Sequence, residues 1–421
     1  MATTNVIDIN IAAREPNPRD QGFVLLLFLI WPFIAFLMAL RDLGSTFYRK
    51  IILMFFVLYG FTFYINPVMD GERYANKLQQ TFESPTTEVF AIFESLFSEQ
   101  GALDIVQPII TFLVSRVTGM HHFLFAAFAL FFGYFHLKSV SLLNEQYKGS
   151  RNINALIILV FMFLVVPIFE INGFRMWSAA WVYFFGVYNY LLEKEKRFIW
   201  LAVAASVVHF SFLLPAAVFL LYVLVGNRPV IFMILAVSSF FISELPMPAL
   251  RSYAAMLGGG LEEKFTSYSN VNHARNVKNA SENFAWFMAA PKWLLYSFLI
   301  IMVALFRKKS RFKSDNVLNN LLSFSFLFLT FCNIASLIPS GSRFIRVFFL
   351  FSCATFIYYY ANHYHARRLD KLLLLAVIPM LLVVLINFRI GSETLNTILF
   401  LPSPAIMFFY DIDWPVKEWL F

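Results

Sequence analysis

Three arginines open long apolar runs. Arg175 lies in Glu170-Ile-Asn-Gly-Phe-Arg175-Met-Trp177, and the other two in Pro339-Ser-Gly-Ser-Arg343-Phe-Ile-Arg346. A guanidinium held at the lip of a hydrocarbon layer is costly unless an anion meets it. Its planar fork matches a phosphate in two-pronged fashion. Arg343 and Arg346, three residues apart, face the same way on a helix, and two cations on one turn repel unless they share an anion. The first chemistry these residues suggest is binding of a phosphorylated ligand.

Other reactive groups accompany them. In Asp70-Gly-Glu72-Arg73-Tyr74 helical spacing puts Asp70 and Arg73 on one face, with Lys77 one turn beyond. His209 and Ser211 fall in a break between two apolar runs. A carboxylate, an imidazole and several guanidiniums at one depth suit group transfer from a phosphate-activated donor. The arginines hold the diphosphate and stabilise the charge that develops as it leaves. Asp70 or His209 takes the proton from an attacking hydroxyl. Plainer readings stand beside these: a surface ion pair for Asp70 and Arg73, a hydrogen-bonded imidazole in a helix break for His209, and an Arg175 that snorkels to lipid headgroups. His363 and His365, at i,i+2 on a basic loop, and the neighbouring His121 and His122 do not make a metal site. No Walker motif, dinucleotide fingerprint or nucleophile elbow is present, so neither a metal nor a cofactor is expected.

The elements that position these groups are membrane helices. The chain of 421 residues is 60% hydrophobic and 14% charged, with a mean hydropathy of +0.69. No soluble domain needs so many near-spanning apolar stretches. The predicted fold is an all-α polytopic integral membrane protein of about twelve transmembrane helices. The spans are near 23–40, 51–67, 121–138, 153–170, 175–192, 198–210, 212–226, 230–244, 288–306, 317–338, 344–361 and 371–388. The first run starts too late and runs too long for a cleavable signal peptide. The break between 198–210 and 212–226 is placed at Val208-His209-Phe210-Ser211. Cys332 and Cys353 lie inside apolar runs and read as core.

Alternate loops carry more than half of the 33 Lys and Arg. They include Arg41, Arg49 and Lys50; Lys138, Lys148 and Arg151; Lys194, Lys196 and Arg197; Arg228; Arg307 to Lys313; and Arg367, Arg368 and Lys371. The positive-inside rule makes these loops cytoplasmic, and both termini then face out. The net charge of +8 reflects this sorting and not nucleic acid. Asp70, Arg73, Arg175, His209, Arg343 and Arg346 all fall on the outer side. Two further stretches there, 88–97 and 103–119, have amphipathic periods and read as interfacial helices. In the second, Ile105, Val106, Ile109, Ile110, Leu113 and Val117 oppose Asp104, Gln107, Thr111, Ser115 and Arg116. The domain plan is a single transmembrane domain over 1–421, with an outer loop of amphipathic helices near 68–120. A lid-like outer loop near 245–287 carries Gly258-Gly-Gly260 as a hinge.

The outer Asp-x-x-Arg-Tyr after the second span resembles the EpsG-type branch of the Wzy-like polysaccharide polymerases. So do Asn172-Gly-Phe-Arg175, the Ala-Ala-Ser-Val-Val-His209-Phe-Ser211 stretch and the Arg343-Phe-Ile-Arg346 helix start. The resemblance is densest over 170–226. It implies a bacterial inner-membrane glycosyltransferase with a GT-C-like bundle. Such an enzyme joins polyprenyl-diphosphate-linked oligosaccharide repeat units into O-antigen, capsule or exopolysaccharide at the periplasmic or exterior face. By that analogy Arg175, Arg343 and Arg346 bind the donor diphosphate, and His209 or Asp70 activates the acceptor hydroxyl. Arg73 holds one of these or a second phosphate. The implied partners are the lipid-linked oligosaccharide as donor and acceptor, membrane lipid, a chain-length regulator and a flippase. Other classes differ in stated ways. An O-antigen ligase shares the arginines but uses another acceptor. An acyltransferase places its base near a cytoplasmic donor, and a transporter or flippase carries charges at mid-membrane in repeat-related positions.

Overall fold

The computed structural model of the protein describes residues 15–84, 104–150, 152–242, 286–307, 315–338, 340–363, 367–402 and 414–420. Among the described residues every regular element is helical. In chain order they are α1 (Pro18–Ile30), α2 (Pro32–Ala39), α3 (Thr46–Phe61), α4 (Asp70–Glu83), α5 (Val106–Ser115), α6 (His121–Ser150), α7 (Ile153–Val165) and α8 (Phe174–Glu193). There follow α9 (Arg197–Val208), α10 (Leu213–Val225), α11 (Pro229–Ser238), α12 (Ala290–Arg307), α13 (Asn316–Ala335), α14 (Phe344–Asn362), α15 (Arg367–Gly391) and α16 (Lys417–Leu420). Among the described residues, six stretches are long and apolar enough to cross a membrane: His121–Tyr147, Ile153–Glu193, Trp286–Arg307, Asn316–Ala335, Gly341–Asn362 and Asp370–Gly391. The second doubles back at Pro167, so that α7 and α8 run in opposite directions.

Hydrogen bonds between elements fix two ends of the bundle. At one end Arg49 donates to Ser141 at 2.8 Å, Tyr188 to Gln146 at 2.8 Å and Asn154 to Asp370 at 2.8 Å. Arg228 N–H reaches Ser323 at 3.2 Å, and His363 meets Asp315. Arg49, Arg228 and the described ends of the other basic loops gather here, as the charge pattern predicts. At the other end Gly71 N–H donates to Asn172 at 3.0 Å, Tyr64 N–H to the Thr394 carbonyl at 3.1 Å, and Asn333 to Ser239 at 2.8 Å.

The innermost helices are α13 and α14, apolar on nearly every face as a fully enclosed helix must be. On α15, by contrast, Leu374, Ile378 and Leu381 are exposed. Helices approach closely where side chains are small. A Cβ on Gly186 of α8 would meet the backbone nitrogen of Ala202 on α9 at 2.6 Å.

One predicted span is corrected. Residues 23–40 are not one crossing helix: the chain breaks at Trp31, where Pro32 denies a donor and α2 begins. The Glu15 carboxylate accepts from Ser45 Oγ at 2.7 Å and from Thr46 N–H at 2.7 Å. The two ends of the α1–α2 segment therefore meet, which a straight segment of about 1.5 Å per residue forbids. The segment is a hairpin that leaves and re-enters the basic end. The described chain thus starts at that end, while its last described residues pack at the other. The terminal residues 1–14 and 421, on which the expectation that both termini face out falls, lie outside the described residues. The predicted break near His209 is present, between α9 and α10. The amphipathic stretch 88–97 and the loop near 245–287, save its last two residues, lie outside the described residues.

Within the stretch 103–119 the helix is α5, Val106–Ser115, and it is turned polar face inward. Gln107, Thr111 and Ser115 are buried, while Leu113 and Val117 are exposed. That orientation suits a helix whose outer neighbour is lipid rather than water.

Candidate active site

Four breaks between helices meet at the end remote from the basic loops, and each delivers a polar side chain. The first turn of α4 carries Asp70 and Arg73, whose side chains pair as the i,i+3 spacing predicts. Asp70 and Glu72 also place negative charge at a helix N-terminus, where it is favoured. Asn172, in the 3-10 turn after Pro167, accepts from Gly71 N–H and fixes α4 to the start of α8. Gly173 and Phe174 then lead into Arg175, and Phe174 stacks on Phe128 at 4.0 Å. His209 sits at the end of α9 in extended backbone, with its N–H on the Ala205 carbonyl at 3.0 Å.

The fourth break is the turn from α13 into α14. Ser340 adopts a left-handed conformation (φ 67°), and Gly341 follows. A Cβ on Gly341 would lie 1.9 Å from the Ala335 carbonyl oxygen, so only glycine lets the chain fold this closely over the end of α13. Arg343 is thereby presented, exposed, with no side-chain partner among the described residues.

Between these breaks lies a cavity of about 170 Å³ lined by Asp70, Arg73, Tyr74, Gly173, Arg175, Met176, His209, Ser340 and Arg343. Of the six residues singled out in the sequence, five line it: Asp70, Arg73, Arg175, His209 and Arg343.

The sixth does not. Arg346 donates to the Val165 carbonyl at 2.7 Å and pairs with Glu170 at 2.5 Å, its guanidinium lying over the Trp177 ring at 4.1 Å from the ring centre. The expectation that Arg343 and Arg346 share one anion is corrected. Arg343 ends a 3-10 turn and points into the cavity, whereas Arg346, in the first turn of α14, is drawn aside by Glu170 and the Val165 carbonyl. The anion that meets Arg346 belongs to the chain itself.

The residue that sequence reasoning passed over is Asp104. Its side chain is 1% exposed, yet it carries four contacts. Arg175 Nη1 donates to Oδ2 at 2.7 Å, and Phe210 N–H donates to Oδ1 at 2.7 Å. His209 Nδ1 lies 3.2 Å from both oxygens. Burial works to raise the Asp104 carboxyl. The hydrogen bond and charge of His209, the Arg175 charge and the Phe210 amide outweigh it and hold the carboxyl below its ordinary value. When His209 is neutral, a buried carboxylate so placed favours its Nδ1–H tautomer, which leaves the Nε2 lone pair to take a proton. Arg175 is further braced by Nε donating to the Tyr74 hydroxyl at 3.3 Å. One signal in the sequence points to Asp104: it is the only carboxylate between Glu99 and Glu145. An isolated acid at the head of an apolar helix asks for a partner.

Among the described residues no cluster of three or more His, Cys, Asp or Glu is placed to hold a metal ion. Cys332 and Cys353 are buried free thiols.

The family model of the EpsG family matches residues 45–402. That span runs from the N-cap of α3 to beyond α15 and includes every residue lining the cavity. No curated protein and no solved structure matches the chain.

Proposed function

The chain is a member of the EpsG family, and from that premise we propose that it polymerises polyprenyl-diphosphate-linked oligosaccharide repeat units into a surface polysaccharide. It works in the bacterial cytoplasmic membrane, with the cavity opening to the exterior. Its crossings are α3 and α6 to α15 of a GT-C-like bundle, and the α1–α2 hairpin dips in from the cytoplasmic side. The gathering of basic loops at the opposite end supports this orientation. The observation that carries the reading is the Asp104–His209–Arg175 cluster facing an unpaired Arg343 across one cavity.

The cluster and the reaction fit step by step. The acceptor sugar's hydroxyl oxygen attacks the donor's anomeric carbon, and the bond from that carbon to the diphosphate oxygen breaks. His209 Nε2 takes the hydroxyl proton, and Asp104 stabilises the imidazolium so formed. The departing lipid diphosphate keeps the bonding electron pair, and Arg343 and Arg175 lie where that charge gathers. Asp70 and Arg73, paired at the mouth, orient the incoming sugar or a second phosphate. Arg346 has no part in this step.

The test is a deletion strain complemented with variants, its glycan displayed by size. His209→Gln and Arg343→Ala are expected to collapse the ladder to a single repeat unit while the protein remains inserted at normal abundance. A full ladder from both variants would overturn the reading. Loss of all surface-attached glycan on deletion would instead identify a ligase.

A further inference from the structure

A second cavity lies on the lipid-facing side of α5, and the catalytic reading does not use it. Ile110, Leu113 and Val114 of α5 face Ala127, Leu130 and Phe131 of α6 across an open groove of about 420 Å³. Its walls are almost wholly apolar, with Tyr134 at one edge. Leu113 and Leu130 are 60% and 50% exposed, so the groove opens outward. The opposite face of α5 is polar and buried against the bundle, and Asp104 immediately precedes the helix. One helix thus has the groove on its outer side and the reacting cluster at its head.

The separation between the two is thin. Phe131 in the groove wall meets the Phe174 ring edge-on at 5.8 Å, and Phe174 is the residue before Arg175. An occupant suited to both spaces is an amphiphile, with an apolar chain in the groove and an anionic head at Arg175 and Arg343. The geometry points to the α5–α6 groove as the seat of the substrate's polyprenyl chain, laid there so that its diphosphate enters the cavity past the head of α5. This inference rests on the polymerase reading for its choice of lipid. Bilayer phospholipid also supplies apolar chains, but its head offers a single phosphodiester, whereas a diphosphate offers two phosphoryl groups for Arg175 and Arg343 to share.

The groove's contribution is one of fit. The prenyl chain is already out of water in the bilayer, so burying it gains little hydrophobic free energy. What the groove adds is packing and a fixed approach direction. The expected signature is a change in apparent affinity and positioning, with the chemical step intact.

The experiment uses full-length protein in phospholipid nanodiscs and a polyprenyl diphosphate with a diazirine in its tail. Photolysis is expected to label residues 110–134, and excess unlabelled polyprenyl diphosphate, but not added phospholipid, should remove the label. Ala127→Phe, which fills the groove with bulk a bilayer tolerates, should reduce labelling several-fold. It should also raise the KM for a long-tailed donor roughly tenfold, the scale of one misfitted apolar contact, and leave a short-tailed donor unchanged. Labelling spread over exposed helices such as α15, or competed equally by phospholipid, would overturn the inference. So would an Ala127→Phe variant that affects both donors alike. The labelling readout needs no turnover. A labelled and competed groove in a protein that makes no polymer sinks the polymerase reading alone.

Discussion

Two arginines at the same end of this protein follow helix breaks, and both are held by carboxylates of the chain, yet only one borders a cavity. Arg346 is held by Glu170, the Val165 carbonyl and the face of the Trp177 ring, and it does not line the cavity. Arg175 is bound to Asp104 and Tyr74 but borders open volume, and its carboxylate partner also orients an imidazole. The difference is unspent bonding capacity aimed at space. A buried ion pair by itself is weak evidence even for stability, and the Arg346 pair is a brace between α14 and the turn that precedes α8. The Arg175 pair is a brace with a reactive group attached.

The largest expected effect falls on that attached group. Asp104→Asn should lower the rate of glycan transfer by on the order of 10²–10⁴, the range for losing a properly positioned general base. His209→Gln should do the same, and the double variant should be little worse than either alone, because the two act as one unit. Rates measured on purified enzyme with a lipid-linked donor decide this. Independent, multiplying losses would break the dyad apart.

Next in size is a stability contrast between the two pairs. Glu170→Gln or Arg346→Met alone leaves a partly buried charge unmatched, with a cost of about 3–5 kcal/mol. The apolar double replacement Glu170→Leu with Arg346→Met should recover most of that stability and keep the polymer ladder. Asp104→Leu with Arg175→Met should recover folding by the same logic while making no polymer. If both double variants polymerise, or neither does, the distinction between brace and site is wrong.

How far the sequence reached follows the same division. Charge sorting and apolar period are properties of single segments, and they placed the break at His209, and Arg175 and Arg343 at the end remote from the described basic residues, where the structure has them. The α1–α2 hairpin escaped because Trp31-Pro32 interrupts an apolar run without interrupting its hydropathy, and only the long-range bonds of Glu15 show that the run returns. The pairing of Arg346 with Glu170 escaped for a related reason. It depends on the angle at which one helix enters after a 3-10 turn, which residue spacing does not encode. Asp104 escaped because its partners lie about a hundred residues away, at Arg175 and Phe210.

Arg343 sharpens the comparison from the other side, since it lines the cavity, exposed, with no side-chain partner among the described residues. Arg343→Ala should leave thermal stability within about 0.5 kcal/mol of the wild type, as an exposed substitution does. It should raise the KM for the lipid-linked donor tenfold to roughly a hundredfold, the value of one or two charge-assisted hydrogen bonds. Arg343→Lys should recover part of this through charge and not all of it, because the fork is lost. A loss of stability without a KM change would make Arg343 a second brace.

The smallest expected effect is a pH dependence specific to Asp104. Its carboxyl is held below its ordinary value of 3.8 in the folded protein. A depressed carboxylate contributes stability in full above its unfolded value and loses that contribution as pH falls through its folded value. The stability difference between wild type and Asp104→Asn should therefore stay level from about pH 6 down to about pH 4, and then shrink toward pH 3 as the wild-type carboxyl takes up its proton. Melting temperatures in one detergent across that range measure it. A difference that shrinks well above pH 4 would mean the carboxyl is protonated near neutrality and burial has won over His209 and Arg175. The proton it then carried would face His209, and His209 would no longer be set up as the base.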